Sequence, residues 1–414
     1  MNIQTLKGFR DFLPAAARKR QYVINTLKSV FESYGFEPLE TPTLEYEEIL
    51  AGKYGQEGDK LMYKFKDLGE RNVAMRYDQT VPLARVVAQY ENELPMPFKR
   101  YQIQNVFRAD NTQKGRFREF LQCDADIVGS SSPLSDAEVI AVAAKSLEKL
   151  GFEKFKILIN DRAVFSNLLA DKRQSITEKE LPAVIRAIDK LKKIGKDKVM
   201  EEIIAGGIAP ERAMFIYQTI EFQKPTKQIR EILKLVQQYG IDALKVKFDP
   251  TLARGLDYYT GLIFEIEVEG YSVGSVAGGG RFDNLIGMFA DKQIPAVGFA
   301  FGFDRLIEAM EELNLFPDLT KVSTTRVLVT IFSGELMDKS IELANYIRSN
   351  NLNCELYDNG DDKLEKQIKY ADKKGIMYAA IIGPEEIEKD MVTIKNLRIR
   401  DQQTVKREDL LKVI

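Results

Sequence analysis

Apolar positions near the start of the chain recur at helical spacing. Val23, Leu27, Val30, Phe31 and Tyr34 fall on one stripe, and Gly35 follows as a stop, which predicts a helix over 15–34. After an extended stretch carrying Pro38 and Pro42, FKRYQIQNVFRAD and FREFLQCDADIVG read as two strands joined by a polar loop at 111–115. Ser135 and Glu138 have the spacing of a capping box for a helix that reaches Leu150 and ends at Gly151. FKILIN reads as a further strand. From 162 to 248 the texture becomes helical, Lys-rich and strand-poor, as an inserted module would be. Strand patterning resumes at LIFEIEVEG and closes in a helix after Pro295, over GFAFGFDRLIEAMEEL. Beyond the hydrophilic FPDLTKVSTT, strands and helices alternate: 326–332, a helix over 335–350, CELYD, a helix over 362–374, MYAAII, MVTIKNL and a last helix from Thr404. That alternation predicts a self-contained α/β unit.

Composition narrows the chemistry. A length of 414 residues exceeds what one core usually serves, so two or three domains are expected. With 60 basic against 62 acidic residues the net charge is −2, which argues against a bulk polyelectrolyte binder and leaves nucleic-acid contact to local patches. Cys123 and Cys354 form no CxxC pair, so a disulfide framework or zinc site is not expected. The opening MNIQTLKGFRDF lacks signal- or transit-peptide character, and no apolar run approaches membrane-spanning length, so a cytoplasmic location is expected.

The chain contains no histidine. This removes Ser-His-Asp hydrolases, Cys-His proteases, HExxH zinc sites and facial-triad iron sites. Reactions that rest on positioning and charge stabilisation, such as phosphoryl and nucleotidyl transfer, stay open. No GxxxxGK[ST] loop occurs, so side chains must hold the phosphates of any bound nucleotide. Gly278, Gly279 and Gly280 read either as a tight turn or as a close backbone approach within a sheet.

The densest cluster of candidate side chains is FRADNTQKGRFREFLQCDAD, with Arg108, Lys114, Arg116 and Arg118 on two strands and their loop. If the strand is regular from Arg116, period-two alternation puts Arg116, Arg118 and Phe120 on one face, able to clamp phosphates and stack a base. An exposed charged hairpin is the alternative. LARGLDYYTG brings Arg254, Asp257, Tyr258 and Tyr259 together before a strand, and Arg305 sits at the start of an amphipathic helix.

In this order the segments resemble class II aminoacyl-tRNA synthetases, and among them the histidyl-tRNA synthetases. KGFRDFLP and the helix leading to Pro42 resemble the opening and motif 1; FRADNTQKGRFREF resembles motif 2 and AVGFAFGFDRL motif 3. LARGLDYYTG and SVAGGGRFD resemble the two histidine-specific signatures. The resemblance implies an α+β fold: a class II antiparallel sheet with flanking helices, a helical insertion, and a C-terminal α/β anticodon-binding domain. The corresponding limits are 1–161 and 249–318 for the two parts of the catalytic domain, 162–248 for the insertion and 325–414 for the anticodon-binding domain.

It also implies activation of L-histidine with ATP and Mg2+ to histidyl-adenylate and pyrophosphate, then transfer to the 3′ end of tRNA(His), by a homodimer with no organic cofactor. On this resemblance Arg108 and Arg254 are the catalytic residues. Arg108 bridges the α-phosphate and the amino-acid carboxylate, Arg116 and Arg305 hold the outer phosphates, and Asp110 and Phe120 hold the adenine. Arg254 meets the α-phosphate as charge builds. Histidine is held by Asp126 and Tyr259 at the ring nitrogens and by Asp78, Thr80 and Gln122 at the α-amino group, with Arg254 and Tyr258 completing the pocket; no protein ligand is assigned to a metal. Two positions depart from the family pattern: Phe282 stands where a tyrosine is common, and Gln102 where relatives can carry histidine. A regulatory subunit of ATP phosphoribosyltransferase and a non-catalytic nucleic-acid binder are the competing readings. The retained arginines and the C-terminal unit count against the first, and RGLDYYTG against the second.

Overall fold

The structure is a computed structural model that describes residues 3–113, 115–170, 176–253, 258–318 and 323–414. Two compact units are present, Met1–Asp11 with Arg20–Leu315, and Phe12–Lys19 with Phe316–Ile414. The first helix runs Pro14–Ser33 and buries Val23, Leu27, Val30 and Phe31, the stripe that its periodicity marks. Gly35 takes φ +77°, the left-handed stop that only glycine adopts without strain.

The first unit is built on a sheet of eight strands. Its members are β1 (Glu37–Pro38), β5 (Phe98–Phe107), β6 (Glu119–Val128), β7 (Phe155–Asp161), β8 (Val246–Phe248), β9 (Leu262–Val268), β10 (Ala277–Arg281) and β11 (Ala296–Gly302). Their order across the sheet is β1-β5-β6-β11-β10-β9-β7-β8, with antiparallel pairing from β5 through to β7. A small antiparallel sheet of β2 (Leu44–Tyr46), β3 (Lys64–Lys66) and β4 (Asn72–Met75) precedes the helix Thr80–Gln89.

Three local expectations are corrected. The helix read as starting at Ser135 runs Pro133–Lys149 and is capped by Ser132, whose side chain accepts from the Leu134 N–H; Pro133 at the first position sets the start earlier. Glu138 instead pairs with Lys99 at 2.7 Å. The segment after Pro295 is first a strand, because Val297, Phe299 and Phe301 alternate with Gly298, Ala300 and Gly302 at period two; the helix begins only at Phe303 and ends at Glu312.

Within 162–248, the helices Ala163–Ala170, Leu181–Asp189, Leu191–Ala205 and Pro210–Glu221 share a core of Phe165, Val184, Ile188, Val199, Ile203 and Ile216. The next helix, Lys227–Gln238, packs on the helix Pro133–Lys149, and β8 adds to the large sheet beside β7. Composition reads this stretch as uniform, whereas packing divides it after Glu221.

The second unit carries a five-stranded sheet ordered β13-β12-β14-β15-β16, from β12 (Val327–Val329), β13 (Cys354–Leu356), β14 (Tyr378–Ile381), β15 (Met391–Asn396) and β16 (Asp401–Lys406). The first three strands are parallel, and helices Met337–Ser349 and Leu364–Lys374 supply the crossovers. Thr404, read as opening a helix, lies in β16 opposite Thr393; the terminal helix is only Leu410–Val413. Among the described residues no helix is long and apolar enough to cross a membrane.

Candidate active site

The cavity-facing side of the large sheet follows from its register. Along β6, alternation puts Phe120, Gln122, Asp124 and Asp126 on one face. Asp126 lies opposite Arg100 on β5 and Gly298 on β11, Asp124 opposite Gln102 and Ala300, and Gln122 opposite Gln104 and Gly302. On β10, Gly280 pairs with Gly298 and Gly278 with Ala300. A charged and amide-bearing edge therefore borders a floor of nearly bare backbone. The small residues hollow out a cavity of about 480 Å³.

The floor has no room for side chains. A Cβ at Gly298 would fall 1.9 Å from Asp126 Oδ1, and one at Gly280 would fall 2.3 Å from the Leu262 carbonyl and 2.9 Å from the Tyr259 ring. The triple glycine is thus a close backbone approach in a central strand, and the turn alternative is discarded.

The cavity gathers Asp78, Thr80, Arg108, Asp110, Arg116, Phe120, Gln122, Asp126, Tyr258, Tyr259 and Arg305. Arg254 and Lys114 lie outside the described residues. Arg118 is not part of the lining. The strand starts only at Glu119, so the alternation does not extend back to Arg118. Its Nε donates to the Asp110 carbonyl at 3.2 Å, its backbone N–H donates to Gly8 O, and its side chain packs against Gly8. Arg116 stays at the cavity through a bridge between Gln113 and Arg116 in the connecting loop.

Each side chain is fixed by its neighbours. Arg108 donates from Nε to the Tyr77 carbonyl at 3.0 Å, and its guanidinium sits 4.4 Å from the Tyr77 ring centre and 5.2 Å from that of Phe120. Arg305 donates to the Ser275 carbonyl at 3.1 Å. The neighbouring Asp304 pairs with Arg10 at 2.8 Å and Arg20 at 2.7 Å, joining the N-terminal segment to the start of the last helix of this unit. Asp78 Oδ1 accepts from the Thr80 and Val81 N–H groups at 3.1 Å, an ordinary helix-start role, and from the Tyr54 hydroxyl at 2.9 Å. Tyr258 packs between Tyr259, at 5.0 Å, and Phe282, at 6.0 Å, so the position that lacks a hydroxyl lines the cavity.

The carboxylates at the inner end are strongly perturbed. Burial raises the Asp126 carboxyl above its usual range, opposed by Arg100, whose Nη2 stands 2.7 Å from Asp126 Oδ2. Burial likewise raises Asp78, against its backbone N–H contacts and Arg108. Asp124 is held well above the carboxylate range by burial, opposed by Arg100, with repulsion from Asp126 and Asp78 adding to the shift. Gln122 Oε1 and Asp124 Oδ1 are buried without a hydrogen-bond partner, whereas Asp126 Oδ2 is held by Arg100. Such acceptors suit a ligand that brings N–H donors.

Asp124, Arg100 and Tyr54 were not singled out from the sequence. The same alternation that aligns Phe120, Gln122 and Asp126 also places Asp124 in their row, so that signal was present. Arg100 and Tyr54 have no local signature: register and tertiary packing bring them in. Gln102 is fully buried, donating to Thr41 Oγ1 at 2.8 Å and to Gln104 Oε1 at 2.6 Å, so an amide replaces a ring there without loss of pairing. Behind the cavity, Arg281 pairs with Asp136 at 2.8 Å and donates to the Ser130 carbonyl and to Asp283, clamping β10 to the helix Pro133–Lys149.

Comparison with known proteins gives a consistent result. A family model described as Histidyl-tRNA synthetase matches residues 8–306, and one described as Anticodon binding domain matches residues 326–414. A histidine–tRNA ligase of Cytophaga hutchinsonii is 39% identical over 433 aligned residues, covering 94% of each chain. One of Rhodopirellula baltica is also 39% identical, covering 97% of this chain and 95% of its own. The crystal structure of histidyl-tRNA synthetase from Nostoc sp. PCC 7120 superposes with a TM-score of 0.85 at 30% identity over the whole of both chains.

Proposed function

We infer how the cavity works from one premise: this chain belongs to the histidyl-tRNA synthetase family. It activates L-histidine with ATP to histidyl-adenylate and pyrophosphate, and transfers the histidyl group to the 3′ end of tRNA(His). The assignment of individual residues to these steps is our own reading.

Arg108 bridges the histidine carboxylate and the α-phosphate, two anions that repel in water, and its anchorage on Tyr77 and between two rings supports that positioning role. Arg116 and Arg305 take the outer phosphates. Asp110 and Phe120 hold the adenine. Mg2+ would accompany ATP as part of the substrate and supply positive charge to the leaving pyrophosphate; no side chain is assigned to hold it. Arg254 stabilises the charge that builds on the α-phosphate.

Asp78, Thr80 and Gln122 receive the α-ammonium, and Asp126 and Tyr259 the two ring nitrogens; Tyr258 closes the wall. The observation that carries this reading is the convergence of the described members of both residue sets on one cavity, where Gln122 Oε1 and Asp124 Oδ1 are buried without a hydrogen-bond partner. Activation needs no proton transfer, because the attacking carboxylate is already an anion. In transfer, a phosphate oxygen of the adenylate accepts the proton of the tRNA hydroxyl as AMP leaves. Neither step requires an imidazole, which is consistent with a chain that has none. The family reading further makes the protein a cytoplasmic homodimer, with the matched C-terminal domain reading the anticodon.

Exchange of pyrophosphate into ATP, measured with each amino acid in turn, tests the reading. Exchange with histidine alone is the expected result; none with histidine in folded protein would reject it. Arg254→Ala should lower the exchange rate by orders of magnitude while leaving tRNA binding intact, and retained activity would remove Arg254 from the mechanism.

A further inference from the structure

The inner end of the cavity carries more negative charge than its described cations balance. Asp124 and Asp126 lie two residues apart on the same face of β6, and Asp78 approaches from the start of the helix Thr80–Gln89. The three are 3%, 3% and 4% exposed. β5 contributes Arg100, Arg108 follows its last residue, the wall contributes Tyr54, Tyr258 and Tyr259, and β10 and β11 present Gly278, Gly280, Gly298, Ala300 and Gly302 on this face, none of them charged. Glu265 on β9 lies in the row of Asp124 but three strands away, about 14 Å, too far to share a ligand group with it.

A charge count with zwitterionic histidine in place shows the excess. Asp126 is neutralised by Arg100 at 2.7 Å, Asp78 by the α-ammonium, and Arg108 by the α-carboxylate. Among the described residues, with Arg254 assigned to the α-phosphate, Asp124 is left over. Its Oδ1 is buried without a hydrogen-bond partner, and it lines the cavity beside Asp126. A buried carboxylate without a cation is costly, so it takes a proton or gains a cation from the ligand.

We propose that Asp124 is a specificity determinant that makes the cavity bind the side chain of histidine as the imidazolium cation. The ring N–H groups point to Asp126 and to Tyr259 Oη, and Asp124 balances the added charge. The inference rests on the histidine reading above. It adds a criterion that shape alone does not supply: a ring or amide that cannot accept a proton leaves Asp124 uncompensated and is rejected.

Because the chain contains no histidine, ring-15N-labelled L-histidine bound to the full-length protein is seen by NMR without background from protein imidazoles. At pH 8 the free ring is neutral, its ordinary pKa being about 6.5. The bound ring should show two near-equivalent protonated nitrogens, the imidazolium pattern. One protonated and one bare nitrogen, widely separated in shift, would overturn the proposal, and this measurement needs no variant. In Asp124→Asn the bound ring should return to the neutral pattern, with kcat/KM for histidine lowered about ten-fold; an imidazolium that persists there would assign the charge to another group and remove Asp124 from the role. If no bound signal and no histidine-dependent exchange appear, the histidine reading itself fails and this inference with it.

Discussion

Replacing Gly298 by alanine tests whether the bare floor is what holds Asp126 in place. The added Cβ would lie 1.9 Å from Asp126 Oδ1, 2.4 Å from its Cγ and 2.8 Å from the Ala125 carbonyl oxygen. An ordinary carbon–oxygen contact is about 3.3 Å, so the carboxylate must retreat by about 1.4 Å. It has little freedom to do so: Arg100 lies 2.7 Å away on the far side, and β11 is paired with both β6 and β10. Overpacking of this kind costs about 1–3 kcal/mol of stability, and a shift near 1 Å in a positioning group costs about 100-fold in rate. The expected outcome is a soluble, folded variant with kcat/KM for histidine about 100-fold lower and KM for ATP nearly unchanged, read by histidine-dependent pyrophosphate exchange. Gly302→Ala is the steric control on the same strand and face, since its Cβ meets nothing closer than 3.7 Å; it should melt within about 0.5 kcal/mol of the parent. If Gly298→Ala keeps kcat/KM for histidine within about three-fold, Asp126 is not held by the floor.

Arg281→Met leaves Asp136 buried without its cation, with only the Gln228 hydrogen bond remaining, which should cost about 3–5 kcal/mol in urea unfolding at pH 8. Burial, opposed by Arg281, already raises Asp136 to about 6 from 3.8, so its stabilising contribution is complete below the unfolded value and lost as pH rises through the folded one; the penalty of the variant should therefore be smaller at pH 5 than at pH 8, and equal penalties would contradict the assignment. Phe282→Tyr restores a hydroxyl in the cavity wall beside Tyr258 and should lower KM for histidine about three- to ten-fold with kcat little changed; an unchanged KM would place the position away from the substrate. Histidine binding needs ionised Asp126, whose carboxyl burial raises to about 6, so kcat/KM for histidine should fall ten-fold per pH unit below that value; an acid limb near pH 4 would show that Asp126 is not the group involved.

The sequence by itself determined what depends on neighbours along the chain. Helical and strand periods mark the first helix, the hairpin of β5 and β6 and the alternating C-terminal unit, and the absence of histidine by itself limits the chemistry. Local signals failed where two were in competition. Ser135 has a capping spacing, but Pro133 set the helix start and Ser132 took the cap. The residues after Pro295 have both periods, and pairing with β6 and β10 selected the strand.

Only the tertiary structure decided what the cavity contains. Asp126 meets Arg100 and Gly298 through cross-strand register, Arg281 meets Asp136 across 145 residues, and Asp304 meets Arg10 and Arg20. Register is fixed by which face of each strand is buried against the rest of the molecule, a long-range condition that spacing within a segment does not encode. The sequence therefore supplied the carboxylates and arginines, while the sheet determined which of them are paired and left Asp124 without a described cation.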